Sequence, residues 1–68
     1  MTFRIELEQE ADGRWIAEIV ALPGVVAYGM TPTDATAKVQ ALALRVLADR
    51  MEQGEAVAEL LNVSFQAA

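Results

Sequence analysis

Glu6, Glu8 and Glu18, with the single lysine Lys38, are the side chains of this 68-residue chain whose types and spacing come nearest to chemistry. A two-metal nuclease centre needs several acids converging on one point, and alternation along two neighbouring strands puts these three on one outer face. Arg4 shares that face and is placed to pair with Glu18 across the strands. A solvated charged face is therefore preferred to a metal site. Nucleophilic catalysis lacks support as well: there is no His and no Cys, so the Ser and Thr hydroxyls have no ordinary activating base. Lys38 follows Asp34 by one helical turn, the spacing of an ion pair worth a few tenths of a kcal/mol. The expectation is no enzyme, no metal and no cofactor.

Charge narrows the partners. Ten acidic against five basic residues give a net charge of −5. Such a surface repels phosphate backbones, whose binding depends on clustered Lys and Arg. The basic residues here are scattered, with only Arg45 and Arg50 near one another. An acidic balance steers a protein toward basic partners, or does no more than keep it soluble. No apolar run approaches the ~20 residues of a membrane span and no signal-peptide pattern opens the chain, so a cytoplasmic protein is expected.

The elements that must position these residues follow from patterning. Phe3, Ile5 and Leu7 alternate with Arg4, Glu6 and Glu8, the period of a half-buried strand. Ala11-Asp12-Gly13 supplies a hairpin turn. Residues 14–20 form a second strand with Trp15, Ala17 and Ile19 facing inward, because Glu18 on the other face is costly to bury. Leu22-Pro23-Gly24 suits a type II turn, and Val25 to Tyr28 makes a short third strand broken by Gly29. Thr31 caps a helix that begins at Pro32, with Asp34 near the positive end of its dipole. That helix is expected to reach about Gln53, stopped by Gly54. Asn62 to Gln66 reads as a fourth strand with Val63 and Phe65 on one face, ahead of a frayed Ala67-Ala68. Val57, Leu60 and Leu61 between them read as loop or a short turn.

Three strands, a helix and a strand predict a two-layer α+β fold. The right-handed crossover rule makes the fourth strand parallel to the first, giving a mixed sheet of order 3-2-1-4 with one long helix on one face. Ala35, Val39, Leu42 and Val46 form the expected core stripe. Leu44, Leu47 and Met51 lie on a second stripe. The helix is ~33 Å long, whereas strands of six or seven residues cover ~20–23 Å. Its C-terminal half therefore outruns the sheet, and Leu44, Leu47 and Met51 are assigned to an oligomer interface. Residues 55–61 folding back over them are the alternative. A lone core of this size supplies only ~3–5 kcal/mol, and without Cys self-association is the favoured supplement.

The run Asp12-Gly13, Trp15, Leu22-Pro23-Gly24, Gly29 and Thr31, in that order and spacing, resembles the HicB-like family of small bacterial antitoxin domains over roughly residues 3 to 50. The resemblance implies a reduced relative of the ribonuclease H fold that has lost the nuclease acids. It also implies a partner, a small basic HicA-type toxin that cleaves RNA and whose active site the antitoxin blocks. Typical members carry a further C-terminal DNA-binding segment; none follows here, so operator binding is not expected. Most of the matching positions are architectural, and Trp15 reads as core rather than contact.

Contact residues are read from the outer face instead, as Glu6, Glu8, Ile16, Glu18, Val20 and Tyr28. Apolar residues ringed by acids suit docking of a basic protein. The leading expectation is a non-enzymatic antitoxin domain acting as a homodimer or higher homo-oligomer. The alternative is a stand-alone homo-oligomeric domain with a non-toxin partner or a purely structural or regulatory role.

Overall fold

A computed structural model describes residues 1–55 and 62–68 of the chain. The elements run β1 (Thr2–Gln9), β2 (Trp15–Glu18), β3 (Val26–Gly29), α1 (Pro32–Glu52) and β4 (Ser64–Ala67). They form an α+β fold with a four-stranded sheet in the order β3-β2-β1-β4. β1–β2 and β2–β3 are antiparallel, and β4 runs parallel to β1. The expected topology and sheet order are those observed. Val57, Leu60 and Leu61 lie outside the described residues.

Local chemistry explains the boundaries. In the first hairpin the Gly13 N–H donates to the Glu10 carbonyl (2.9 Å) and the Glu10 N–H to the Arg14 carbonyl (2.7 Å). β2 is shorter than expected and stops at Glu18. Past it one more bond joins the two strands, Ile19 N–H to the Val25 carbonyl (3.1 Å), before the Leu22 N–H donates back to the Ile19 carbonyl (3.0 Å) in a turn that ends the ladder. Leu22-Pro23-Gly24-Val25 follows as a type II turn. The Val25 N–H donates to the Leu22 carbonyl (3.0 Å), and Gly24 takes the φ of +85° that a side chain disfavours.

Thr31 caps α1, its Oγ1 accepting from the Asp34 N–H at 3.0 Å. The opposite end closes with two bonds, Gly54 N–H to Met51 O (3.1 Å) and Glu55 N–H to Arg50 O (2.9 Å). Together these make the Schellman pattern, with Gly54 just beyond the cap.

Phe3, Ile5, Ala17, Ile19, Leu22 and Val25 meet Ala35, Val39, Ala43 and Leu47 in the core. Trp15, Leu42, Val46, Val63 and Phe65 pack around it half-buried. Gly29 is not a break after β3 but its last paired residue, opposite Trp15. A Cβ there would stand 2.5 Å from the Ala35 nitrogen, so the first turn of α1 rests directly on the strand.

Four expectations about packing and the chain end are corrected. The buried line of α1 is Ala35, Val39, Ala43 and Leu47, a run of i+4 steps. Each such step turns about 40° around the helix, which suits a helix lying on a twisted sheet. Leu47, assigned above to an oligomer interface, is therefore in the chain's own core at 5 % exposure. Leu7 shares the helix-side face with its ladder partner Ala17 but stays 37 % exposed, because α1 lies mainly over β3 and β2. Ala67 is not frayed: it pairs with Ile5, and the Ala68 N–H donates to the Ile5 carbonyl (2.9 Å).

Among the described residues no helix is long and apolar enough to cross a membrane.

Candidate functional site

Among the described residues nothing covers the sheet face opposite α1. Its composition follows from register. Glu6 stands opposite Glu18, Glu8 opposite Ile16, Ile16 opposite Tyr28, and Glu18 opposite Val26. Five of the six residues read from the sequence as contacts, Glu6, Glu8, Ile16, Glu18 and Tyr28, therefore share one face. Glu6, Glu8, Ile16 and Glu18 also line one shallow depression.

Val20 does not join them, because β2 ends at Glu18 and Val20 sits in the following turn, 60 % exposed. The expected Arg4–Glu18 pair is absent too, since register sets Glu6 across from Glu18 and Arg4 beside Gln66 of β4. Among the described residues the ion pairs are Arg14–Asp12 and Lys38–Asp34, the latter at 3.1 Å as its spacing predicts.

Arg14 is the residue of this face that sequence reasoning missed. Its guanidinium lies over the Tyr28 ring, 4.7 Å from the centroid. Asp12 holds it there: Oδ2 accepts from Nε at 2.7 Å and Oδ1 from the Arg14 backbone N–H at 3.0 Å. The backbone bond first, and the side-chain bond second, hold the Asp12 carboxyl below its ordinary value. The available signal was parity, since Arg14 is even-numbered like Ile16 and Glu18 and so falls on their face.

The chemistry of the face is electrostatic and apolar contact. Like charges directly opposite on neighbouring strands repel, and no cation pairs with Glu6 or Glu18 among the described residues. A basic side chain seated between them would relieve that repulsion. No group of three or more His, Cys, Asp or Glu among the described residues is arranged to hold a metal ion, so Glu6, Glu8 and Glu18 share a face without converging on a point.

On the helix, Leu44 (52 %) and Met51 (48 %) are exposed, apart from the buried Leu47. Comparison with protein-family models, with curated proteins and with solved structures found no match to this chain.

Proposed function

We propose that this chain is a non-enzymatic, antitoxin-type binding module that docks a small basic protein on the open face of its sheet. The HicB-like pattern of Asp12-Gly13, Leu22-Pro23-Gly24, Gly29 and Thr31 makes a HicA-type RNase the first candidate, and the cytoplasm of a bacterium the setting. The observation that carries the reading is the Glu6–Glu18 cross-strand pair, two carboxylates opposed with no cation paired to them among the described residues and bordered by Ile16, Val26 and Tyr28. Such a pair costs stability in the free chain. An arginine or lysine of a partner turns that cost into attraction.

A second reading, a self-associating module of the same fold with no toxin partner, is favoured by the exposed Leu44 and Met51.

The deciding experiment compares the tagged chain with a Glu6→Lys/Glu18→Lys variant as bait in host lysate, with mass spectrometry as readout. The antitoxin reading expects a small basic protein in stoichiometric amount with the native chain and none with the variant. Purified, that protein should cleave RNA, and the native chain should stop it. Equal recovery by both baits, or cleavage unaffected by the native chain, would refute this reading.

A further inference from the structure

The helix bears a second apolar line that its own sheet leaves uncovered. Ala37, Ala41, Leu44, Ala48 and Met51 are all exposed and recur at steps of four, three, four and three. They span about 80° of the helix surface, and none is charged. Steps averaging 3.5 are the repeat of a seam between two helices. The buried line facing the sheet, Ala35, Val39, Ala43 and Leu47, advances by fours instead.

We propose that this seam packs against the same seam of a second copy of the chain, antiparallel, about a two-fold axis beside Leu44. The pairing lies on the layer opposite the open sheet face. It rests on the self-association reading above and holds whether or not that face binds a basic protein.

Three observations select this occupant. The seam is complementary to its own reverse. Turned about Leu44, Ala37 meets the second copy's Met51 and Ala41 meets its Ala48, so the large residue faces a small one. That is the requirement of a closed two-fold interface.

Charge agrees with the same register. Antiparallel packing brings the same flank of both helices together, and here that flank carries Lys38, Arg45 and Glu52. Lys38 of each copy falls opposite Glu52 of the other. Lys38 Nζ already lies 3.1 Å from Asp34 Oδ2, but its side chain remains 58 % exposed and has further donors to offer. Arg45 meets its own counterpart near the axis, with Asp49 one turn along each helix to offset the repulsion. In a parallel alignment the charged flank would face the uncharged one, which holds Gln40 and Leu47.

The third observation is a shallow hollow beside the seam, lined by Leu7, Pro32, Thr33, Thr36, Ala37 and Gln40. It lies where the antiparallel register delivers the other copy's Met51. That contact would cover Leu7, the apolar core-side residue of β1 left exposed.

The native chain has no cysteine, so an introduced one is the only thiol. A disulfide requires Cα atoms closer than about 7 Å, which makes crosslinking a test of register. Leu44→Cys is expected to oxidise to a covalent dimer. Ala37→Cys alone should not, whereas Ala37→Cys mixed with Met51→Cys should.

Light scattering over a concentration series should approach twice the chain mass. Lys38→Glu and Glu52→Lys should each move the midpoint to roughly three- to tenfold higher concentration, and the double variant should recover much of it. Circular dichroism checks that each variant retains the native fold. Monomer mass at every concentration, or Ala37→Cys crosslinking to itself as readily as Leu44→Cys, would overturn the proposal.

Discussion

Replacing Gly29 with alanine tests how closely the helix is seated on the sheet. The new Cβ would stand 2.5 Å from the Ala35 nitrogen, 2.7 Å from Asp34 Oδ2 and 2.9 Å from Ala35 Cα. Two of these are main-chain atoms, so no rotamer change clears the clash. Restoring ordinary contact requires the first turn of α1 to move off by roughly 0.9 Å. That shift would stretch the bond from the Met30 N–H to Asp34 Oδ2, already 3.3 Å. It would also loosen Ala35 and Val39, both fully buried.

Overpacking of this kind costs ~1–3 kcal/mol, and the reduced freedom of the unfolded chain returns ~0.4–1 kcal/mol. The net is a loss of about 1–2 kcal/mol. At ~4–8 °C per kcal/mol for a domain of this size, Tm should fall by roughly 5–15 °C. The assay is thermal and urea unfolding followed by circular dichroism at one fixed protein concentration, because any self-association would add to apparent stability. Gly13→Ala is the comparison: its Cβ would meet nothing within 4 Å, so its cost comes from the backbone alone, at φ +92°. A Gly29→Ala chain as stable as the native one would refute the close seating of α1 on β3.

Three further outcomes are expected. Leu47→Ala should cost about 2–5 kcal/mol in urea unfolding, as a buried leucine does; a change under 0.5 kcal/mol would return Leu47 to the surface. Thr31→Ala should cost about 1 kcal/mol through loss of the Asp34 N–H acceptor, and unchanged unfolding would argue against that cap. Asp12 should titrate below an ordinary aspartate in an NMR pH series. Its folded value being depressed, its contribution is present above the unfolded pKa and fades as pH falls through the folded one. Asp12→Asn should remove that step, and a carboxyl titrating at or above the ordinary value would contradict the Arg14 bonds.

Much of the candidate site was legible because strands alternate strictly. Once Phe3 and Ile5 were assigned inward, Glu6 and Glu8 had to face out, and the same logic placed Ile16, Glu18 and Tyr28. What alternation could not supply was which residue sits beside which. The Glu6–Glu18 opposition depends on the two-strand register, which the hairpin geometry of residues 10–14 decides. The ending of β2 at Glu18, which removes Val20 from the face, depends on the turn bond between Leu22 and Ile19. Arg14 over Tyr28 needed both the register and the Asp12 contacts.

By itself the sequence determined the elements and their order. Period-two alternation, the Pro23-Gly24 turn, the Thr31-Pro32 start and the Gly54 stop are each set within a few residues by backbone chemistry. A helix between the third and fourth strands then leaves little topological choice. Tertiary structure alone decided which side of that helix is inside. Leu47 and Leu44 are both apolar and only three residues apart, yet one is 5 % exposed and the other 52 %. Periodicity establishes that an apolar ridge exists; the lie of the helix on a twisted sheet chooses among ridges. The close approach at Gly29 is the same kind of fact, since a missing Cβ matters only where another backbone arrives.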